Sequence, residues 1–239
     1  MDIEEYLRDP CGTLSIPYWK AKSLVVPDTM KIIHIRDWTG QYSDFQRFFR
    51  VKHSLNNTIV IDVDYDVISL DYQAKQLSEM INASYIHENI TVSERDILQW
   101  KKHETIREDL CIYINADGGK MVASGMAEYD ENCREGIIEW IQVLPEYRNI
   151  GLGKKIVTAL LSRLKCIGAD FVTVSGKFQP LKCSQRDNIS AMADFNCSVR
   201  KYRAFLRVFV YEAKLFCYNT AISKNSEGEL VWRIFLWKG

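Results

Sequence analysis

The segment PEYRNIGLGKK, residues 145–155, constrains this chain more than any other, because it places two glycines and local positive charge directly before a helical apolar pattern. Apolar residues of the following segment recur every four positions, which predicts an amphipathic helix over 151–166. The residues of this stripe are Leu152, Ile156, Leu160 and Leu164. The preceding run GIIEWIQVL, 136–144, is typical of a strand, so the glycines fall between a strand and a helix.

The position of this loop predicts an anion-binding site. The first backbone N–H groups of a helix have no acceptor within the helix and carry the positive end of its dipole. Gly151 and Gly153 lack a Cβ, so an anion can approach the backbone closely, and Arg148 and Lys154 add positive charge. A pyrophosphate carried by a coenzyme fits this combination. The dinucleotide fingerprint G-x-G-x-x-G is excluded because Arg148 stands at its first glycine, and the P-loop pattern is also missing from the loop.

The order of predicted elements indicates a mixed α/β (α+β) fold. The predicted elements are strand 58–67, helices 71–85 and 93–103, strands 110–115, 120–130 and 136–144, helix 151–166 and strand 169–175. The final strand–helix–strand unit requires a right-handed crossover with parallel strands. We therefore expect a mostly antiparallel twisted sheet flanked by helices, with one parallel pair around the loop.

The two ends of the chain differ from this regular middle part. Residues 1–56 are predicted to be an extension that packs on the core, with a short strand at 30–35 and a helix at 43–53. A lid or a homodimer contact is the alternative role for this aromatic segment. The main domain is predicted to span 57–239, in which 202–212 and 228–238 alternate like the strands of a terminal hairpin.

Composition excludes several classes of protein. The net charge is +0, so nothing suggests a nucleic-acid partner. Seven scattered cysteines without a CxxC pair indicate reduced thiols, and the four isolated histidines predict no metal site. The acidic start MDIEEYLRDP is unlike a signal peptide, and no apolar run is long enough to span a membrane. We expect a cytoplasmic protein with no membrane partner.

The segment IEWIQVLPEYRNIGLGKKIV, 138–157, strongly resembles the acetyl-CoA motif of the GNAT N-acetyltransferase superfamily. The motif Q/R-x-x-G-x-G/A is present as Arg148, Gly151 and Gly153. The strand pattern of the family precedes it as Ile141, Val143 and Pro145. The order of elements over 57–175 also resembles the GNAT core, whereas 176–239 matches it poorly.

This resemblance implies acetyl-CoA as cosubstrate and assigns residues to it. In the family, the end of the strand binds the pantetheine arm and the backbone of the loop binds the pyrophosphate. The implied coenzyme-binding residues are Ile141, Gln142, Val143, Arg148, Asn149, Ile150, Gly151, Leu152, Gly153, Lys154 and Asn188. A backbone donor near Val143 would stabilise the developing oxyanion.

Glu139 is the candidate general base. Simple alternation along 136–144 places Ile137, Glu139, Ile141 and Val143 on one face, so a carboxylate on an apolar face is expected to have a raised pKa. Several members of the family use a glutamate on this strand. The alternative is a structural glutamate that is paired or solvated.

The tyrosine that serves as general acid in many relatives is missing from this chain. Many relatives carry a tyrosine in N-x-x-A-x-x-L-Y, whereas this chain has Asn188, Ala191 and then Phe195 at the position of the tyrosine. Asn188 is either a coenzyme contact or a helix cap. Water or the leaving thiolate itself would complete the proton transfer. A frameshift within the gene is a further hypothesis for the unusual tail.

Three functional hypotheses remain open. The first is an N-acetyltransferase whose primary-amine substrate, a small molecule or a protein, attacks the thioester directly. The second is an acyl-CoA-binding module of the same fold with little or no turnover. The third is a structural protein with a chance glycine loop. The acceptor amine is expected near 71–105, where Glu79, Glu88 and Glu94 are candidate attractors of a cation.

Overall fold

A computed structural model describes residues 1–11, 16–24, 31–34, 45–86, 90–177, 218–224 and 230–236. The chain divides into two compact units, 53–172 on the one hand and 1–52 with 173–239 on the other. The predicted domain limits at residues 56 and 57 stay a prediction.

The helices and strands have the following bounds. The helices are α1 Ile3–Arg8, α2 Tyr18–Ala21, α3 Leu70–Ser84, α4 Glu94–Trp100 and α5 Leu152–Cys166. The strands are β1 Lys31–His34, β2 Phe45–Ser54, β3 Asp66–Val67, β4 Ile106–Asn115, β5 Met121–Asp130, β6 Glu135–Val143, β7 Phe171–Lys177, β8 Tyr218–Lys224 and β9 Leu230–Leu236. A short 3₁₀ turn, Pro145–Tyr147, follows β6.

The unit 53–172 is built on strands in the order β6-β5-β4-β3, and the first two residues of β7, Phe171 and Val172, belong to it beside β6. The pairs β3–β4, β4–β5 and β5–β6 are antiparallel. Helix α5 joins β6 to its neighbour β7, and such a crossover returns the chain in the same direction, which makes these strands the parallel pair. The predicted fold class, a mixed and mostly antiparallel sheet flanked by helices, is confirmed.

Helices cover both faces of this sheet. The apolar side chains of α3 and α4 pack with those of β5, including Val122 and Met126. Helix α5 lies against the other face, and so closely that a Cβ at Gly125 would overlap the side chain of Ile156. Every residue of β5 is buried, as expected for a central strand.

A β-bulge interrupts β6 and overturns one prediction. Ile138 lies opposite Ala127 and Ile141 lies opposite Gly125, so β6 has one residue more than β5 between these pairs. Glu139 lies in the bulge, where strict alternation ends. The predicted common face is therefore wrong, because the extra residue moves Ile137 to the face opposite Ile141.

The unit formed by 1–52 and 173–239 has strands in the order β1-β9-β8-β2. Strand β1 is parallel to β9, and the pairs β8–β9 and β2–β8 are antiparallel. Within this unit the guanidinium of Arg50 is buried and donates to the hydroxyls of Tyr6, Thr173 and Ser175.

The predicted helix over 43–53 is wrong, since β2 occupies this segment. Three phenylalanines at helical spacing suggested the helix, but hydrogen bonding of the backbone to β8 outweighs that local pattern. The end of the segment has the period of a strand, because Val51 and His53 are buried whereas Lys52 and Ser54 are exposed.

The predicted strand over 58–67 is also wrong except for its last two residues, which form β3. Ile59 is 78% exposed and Val60 is 53% exposed, so the alternating pattern does not mark a buried face. The N–H of Ile61 donates instead to the hydroxyl of Ser162 on α5, over 3.0 Å. This backbone is thus bonded to a helix side chain and not to a strand.

The other elements predicted over 71–175 are present, although β4 begins at Ile106 and not at 110, whereas α1, α2 and β8 were not predicted. Helix α4 has the predicted capping box, in which the Ser93 side chain accepts from the N–H of Asp96 and the Asp96 side chain accepts from the N–H of Ser93. The predicted terminal strand 228–238 contains β9, but β9 pairs with β8. The other predicted strand of that hairpin, 202–212, lies outside the described residues.

Candidate active site

The loop between β6 and α5 has the backbone that its glycines predict. Asn149 has φ 67° and Gly151 has φ 92°, both in the left-handed region. Gly151 is the N-cap of α5 and offers no side chain to the first turn. A residue with a Cβ is strained at such a φ, so glycine at 151 follows from the conformation of the loop.

The backbone N–H groups of 149–154 have no hydrogen-bond acceptor among the described residues, and the first amide with a partner is that of Lys155, which donates to the Gly151 carbonyl over 3.1 Å. Lys154 and Lys155 are exposed beside these amides. A row of unpaired donors at the positive end of a helix, flanked by two ammonium groups, is suited to a phosphate group.

Packing does not explain the second glycine. A Cβ at Gly153 would lie 3.7 Å from Cγ2 of Val143, which is an ordinary contact. The φ of Gly153 lies outside the left-handed region, so the backbone conformation does not require glycine either. A Cβ at Gly151 would meet nothing within 4 Å. Neither packing nor φ therefore requires a glycine at 153, and the missing side chain leaves the backbone of the first turn open to a ligand.

Arg148 fastens the loop to its surroundings. Its Nε donates to the carbonyl of Val143 over 3.1 Å, and its Nη2 donates to the carbonyl of Ser84 over 2.6 Å. Ser84 is the last residue of α3. The arginine that the motif places beside a pyrophosphate thus binds two carbonyls of the protein, and its charge lies next to the loop.

The end of β6 turns alternate backbone groups away from β5. The N–H of Leu144 donates to the carbonyl of Val122 on β5, so the carbonyls of Ile141 and Val143 point to the other side. The Ile141 carbonyl accepts from the hydroxyl of Tyr85 over 2.9 Å, and the Val143 carbonyl accepts from Arg148. Side chains therefore supply donors along this edge.

Gln142 has a structural side chain. It is buried, and its Nε2 donates to the hydroxyl of Ser124 on β5 over 2.6 Å. Its Oε1 has no partner among the described residues. The side chain of Gln142 therefore holds the sheet together.

Glu139 is exposed, in contrast to the apolar environment expected for it.

Three aromatic rings pack together beside this residue. Trp140 follows Glu139 and stacks on Trp100 of α4, with ring centroids 5.1 Å apart. The ring of Tyr85 meets Trp140 edge-on at 6.0 Å. Sequence patterns did not predict this aromatic group, although all three residues lie in or beside predicted elements of the same unit.

The connection between α3 and α4 is fixed next to these rings. The side-chain amide of Asn82 donates to the carbonyl of Val92 and accepts from the N–H of Val92, both over 2.8 Å. This pair of bonds holds the end of α3 against the segment before α4. The region expected to receive an acceptor amine therefore has a fixed wall on this side.

Some predicted residues lie outside the described part of the chain, namely Asn188, Phe195 and Glu88. Among the described residues, no group of His, Cys, Asp or Glu is arranged to hold a metal ion. None of the described helices is long and apolar enough to cross a membrane.

The buried thiols of this unit are poor nucleophiles. Burial, followed by the charges of Glu108 and Asp109, raises the pKa of Cys111 to about 12. Burial and then the neighbouring carboxylate of Glu135 also raise the pKa of Cys133. Because the thiolate is the reactive form, neither cysteine is suited to form a covalent acyl intermediate.

Comparisons with known proteins point to one family. The sequence profile of the Acetyltransferase (GNAT) family matches residues 74–179. A GCN5-related N-acetyltransferase from Sphaerobacter thermophilus has a similar structure, with a TM-score of 0.51 and 12% identity over 61% of this chain and 47% of that one. At such low identity this likeness concerns the fold alone, and the match spans about half of that protein.

Two further solved structures match less well. Diaminobutyrate acetyltransferase EctA from Paenibacillus lautus has a TM-score of 0.42 and 16% identity, over 62% of this chain and 74% of that one. The ribosomal-protein-S18-alanine N-acetyltransferase from Escherichia coli has a TM-score of 0.40 and 14% identity, over 74% and 97%. No curated protein matches the chain in sequence.

Proposed function

Since residues 74–179 of this chain belong to the acetyltransferase (GNAT) family, we propose that the protein transfers an acetyl group from acetyl-CoA to a primary amine. The observation that carries the proposal is the row of backbone N–H groups at 149–154 without an acceptor among the described residues. Family membership supports acyl transfer in general, and the loop supports a coenzyme that carries phosphate.

The loop would hold the pyrophosphate of acetyl-CoA. The amides of 149–154 supply the donors, the dipole of α5 supplies positive potential, and Lys154 and Lys155 add charge without filling the space above Gly153. Arg148 holds the loop in place through its hydrogen bonds to the carbonyls of Val143 and Ser84. Hydrogen bonding and charge both fit a doubly charged diphosphate.

The end of β6 would align the rest of the coenzyme. Acetyl-CoA supplies an acyl thioester, whose carbonyl carbon accepts an amine without a covalent enzyme intermediate. The backbone of Ile141 and Val143 faces away from β5, on the side where an extended arm can lie along the strand. A backbone N–H near Val143 would stabilise the developing oxyanion.

Glu139 would receive the proton of the attacking amine. Glu139 lies in the bulge of β6, before the last residues of the strand, and its side chain is exposed to bulk water. A carboxylate in this position can take the proton directly or through a water molecule and release it to solvent. Solvent water would then return a proton to the leaving thiolate, because Phe195 has none to donate.

A second candidate function is a binding module that retains acyl-CoA with little or no turnover. The replacement of the expected tyrosine by Phe195 favours it. This module would use the same loop, so binding alone does not separate the two functions. Turnover separates the two functions, because only an enzyme should lose acetyl transfer in the variant Glu139→Gln.

Titration with acetyl-CoA by calorimetry tests the site itself. The wild-type chain is expected to bind with a dissociation constant on the order of micromolar. Gly153→Glu is the decisive variant, because the motif accepts glycine or alanine at this position, whereas a carboxylate beside the amides of the loop repels a diphosphate. Its Cβ makes only an ordinary contact with Val143. We expect binding to weaken about tenfold or more.

Thermal unfolding provides the control for this variant. Glutamate is a better helix former than glycine and is favourable in the first turn of a helix, so the stability of Gly153→Glu is expected to equal or exceed that of the wild type. Equal binding of acetyl-CoA by both proteins would place the coenzyme elsewhere, and no binding by the wild type would remove the proposed function.

A further inference from the structure

Two consecutive residues at the end of α3 are bonded to the end of β6. Tyr85, the C-cap of α3, donates its hydroxyl to the Ile141 carbonyl over 2.9 Å. The carbonyl of Ser84 accepts from Arg148, and the same guanidinium donates to the Val143 carbonyl. The two outward carbonyls at the end of β6 are thus each bonded to a side chain, Tyr85 on one and Arg148 on the other.

We propose that Tyr85 is a positioning residue for acyl transfer, because its hydroxyl, together with Arg148, holds the coenzyme-facing end of β6 on helix α3. This inference rests on the proposed function. Tyr85 acts through the backbone of β6, and its hydroxyl takes no proton from the reactants.

The bond fixes the orientation of a peptide group. A carbonyl oxygen and the N–H of the next residue belong to one rigid plane, so a donor on the Ile141 carbonyl also fixes the N–H of Gln142, which points to β5. Rotation of this plane would turn the adjacent backbone donors of the strand end. The hydroxyl of Tyr85 therefore keeps these donors aligned with an acyl group lying beside the strand.

The ring of Tyr85 is itself held in place. It meets Trp140 edge-on at 6.0 Å, and Trp140 stacks on Trp100 at 5.1 Å. Tyrosine has few rotatable bonds, and the edge-on contact with Trp140, itself stacked on Trp100, restricts the orientation of its ring. A donor on a long flexible side chain would fix the carbonyl less firmly.

The position of Tyr85 predicts a selective effect. The Ile141 carbonyl lies on the strand, whereas the phosphate-binding amides lie in the loop at 149–154. Loss of the hydroxyl should therefore weaken interactions with the acyl-pantetheine part of acetyl-CoA and spare those with its nucleotide part. A general loss of structure would weaken both.

The test compares Tyr85→Phe with the wild type in binding acetyl-CoA and 3′-phospho-ADP, the nucleotide part of CoA. We expect acetyl-CoA to bind about three- to tenfold more weakly, the effect of one hydrogen bond, and 3′-phospho-ADP to bind within about twofold of the wild type. Acetyl-CoA labelled with ¹³C at the thioester carbonyl provides an infrared readout. In its complex with Tyr85→Phe, the carbonyl stretching band should move towards the frequency of the free compound.

Tyr72→Phe is the matched control, because Tyr72 lies on the same helix and is 89% exposed. It should bind both compounds like the wild type. Arg148→Met provides a second variant that removes the neighbouring bonds, and the labelled carbonyl should shift in the same direction. Thermal unfolding verifies that each variant is folded.

Each outcome decides between specific alternatives. Wild-type binding together with an unchanged infrared frequency in Tyr85→Phe would overturn the role of Tyr85 and leave the proposed function intact. Equal weakening of acetyl-CoA and 3′-phospho-ADP would also overturn it, in favour of a general structural role. No binding of either compound by the wild type would overturn the proposed function and this inference with it.

Discussion

The side-chain amide of Gln142 donates to the hydroxyl of Ser124 over 2.6 Å, in a place where both side chains are buried. The bond joins the end of β6 to the central strand β5. A residue predicted from the motif as a coenzyme contact therefore uses its side chain to hold the strand. The stability that this bond contributes and the turnover that we assign to Glu139 can each be tested separately from coenzyme binding.

The first prediction concerns stability. Ser124→Ala should lower the free energy of unfolding by about 1–3 kcal/mol, because it leaves the buried amide of Gln142 without its acceptor. Gln142→Leu should have a similar cost, whereas the double variant should cost less than the sum of the two. Urea denaturation of the four proteins measures the coupling. Strict additivity would contradict a direct bond.

The second prediction concerns turnover. Glu139→Gln should lower kcat for acetyl transfer about 10²-fold or more, since it removes the general base while keeping size and polarity. Binding of acetyl-CoA should change little. The measurement is release of free CoA with a panel of primary amines, which includes small diamines and peptides with a free N-terminus.

Glu131→Gln is the control for this variant, because Glu131 is exposed in the turn between β5 and β6, away from the bulge. It should leave kcat unchanged. Wild-type kcat in Glu139→Gln would assign the base to another residue. Tight acetyl-CoA binding by the wild type without turnover on any amine would instead favour the binding module.

The third prediction concerns pH. The side-chain and backbone hydrogen bonds from Ser93 hold the pKa of Asp96 below its ordinary value of 3.8. A group with a lowered pKa in the folded state contributes stability above its unfolded pKa and loses this contribution as the pH falls through the folded pKa. The capping box should therefore weaken only in acid, below about pH 4.

Ser93→Ala tests this prediction, because it removes the largest cause of the shift. NMR titration should find that the pKa of Asp96 rises towards its ordinary value, and the loss of stability should be greater at pH 7 than at pH 3. An unchanged pKa for Asp96 would contradict the capping box.

Local patterns in the sequence were sufficient for the helices around the site. The period of the apolar residues in 151–166 predicted α5, and Ser93 with Asp96 predicted the start of α4. Both features depend on residues within one or two turns of each other, so their physical causes lie inside the segment itself. The glycines of the loop belong to the same class, because a left-handed φ at Gly151 is a local requirement.

Local patterns failed where a distant neighbour decides the structure. The segment 43–53 was predicted as a helix, but hydrogen bonds to β8 make β2 a strand. The segment 58–67 alternates like a strand, yet only its last two residues pair with β4. Strand formation depends on a partner strand, here one far along the chain, and the sequence of the segment alone does not identify that partner.

Local sequence patterns were enough to predict the class of fold, the strand–loop–helix arrangement at 136–166 and a loop suited to phosphate. How the end of β6 is held depends on contacts between distant elements. The bulge at Glu139 arises from pairing with β5, the Tyr85 hydroxyl reaches a carbonyl 56 positions away, and Arg148 reaches one 64 positions away. The physical reason is that hydrogen-bond geometry between distant segments is fixed by the packing of whole elements, whereas caps, turns and helical periods are fixed by neighbours in the chain.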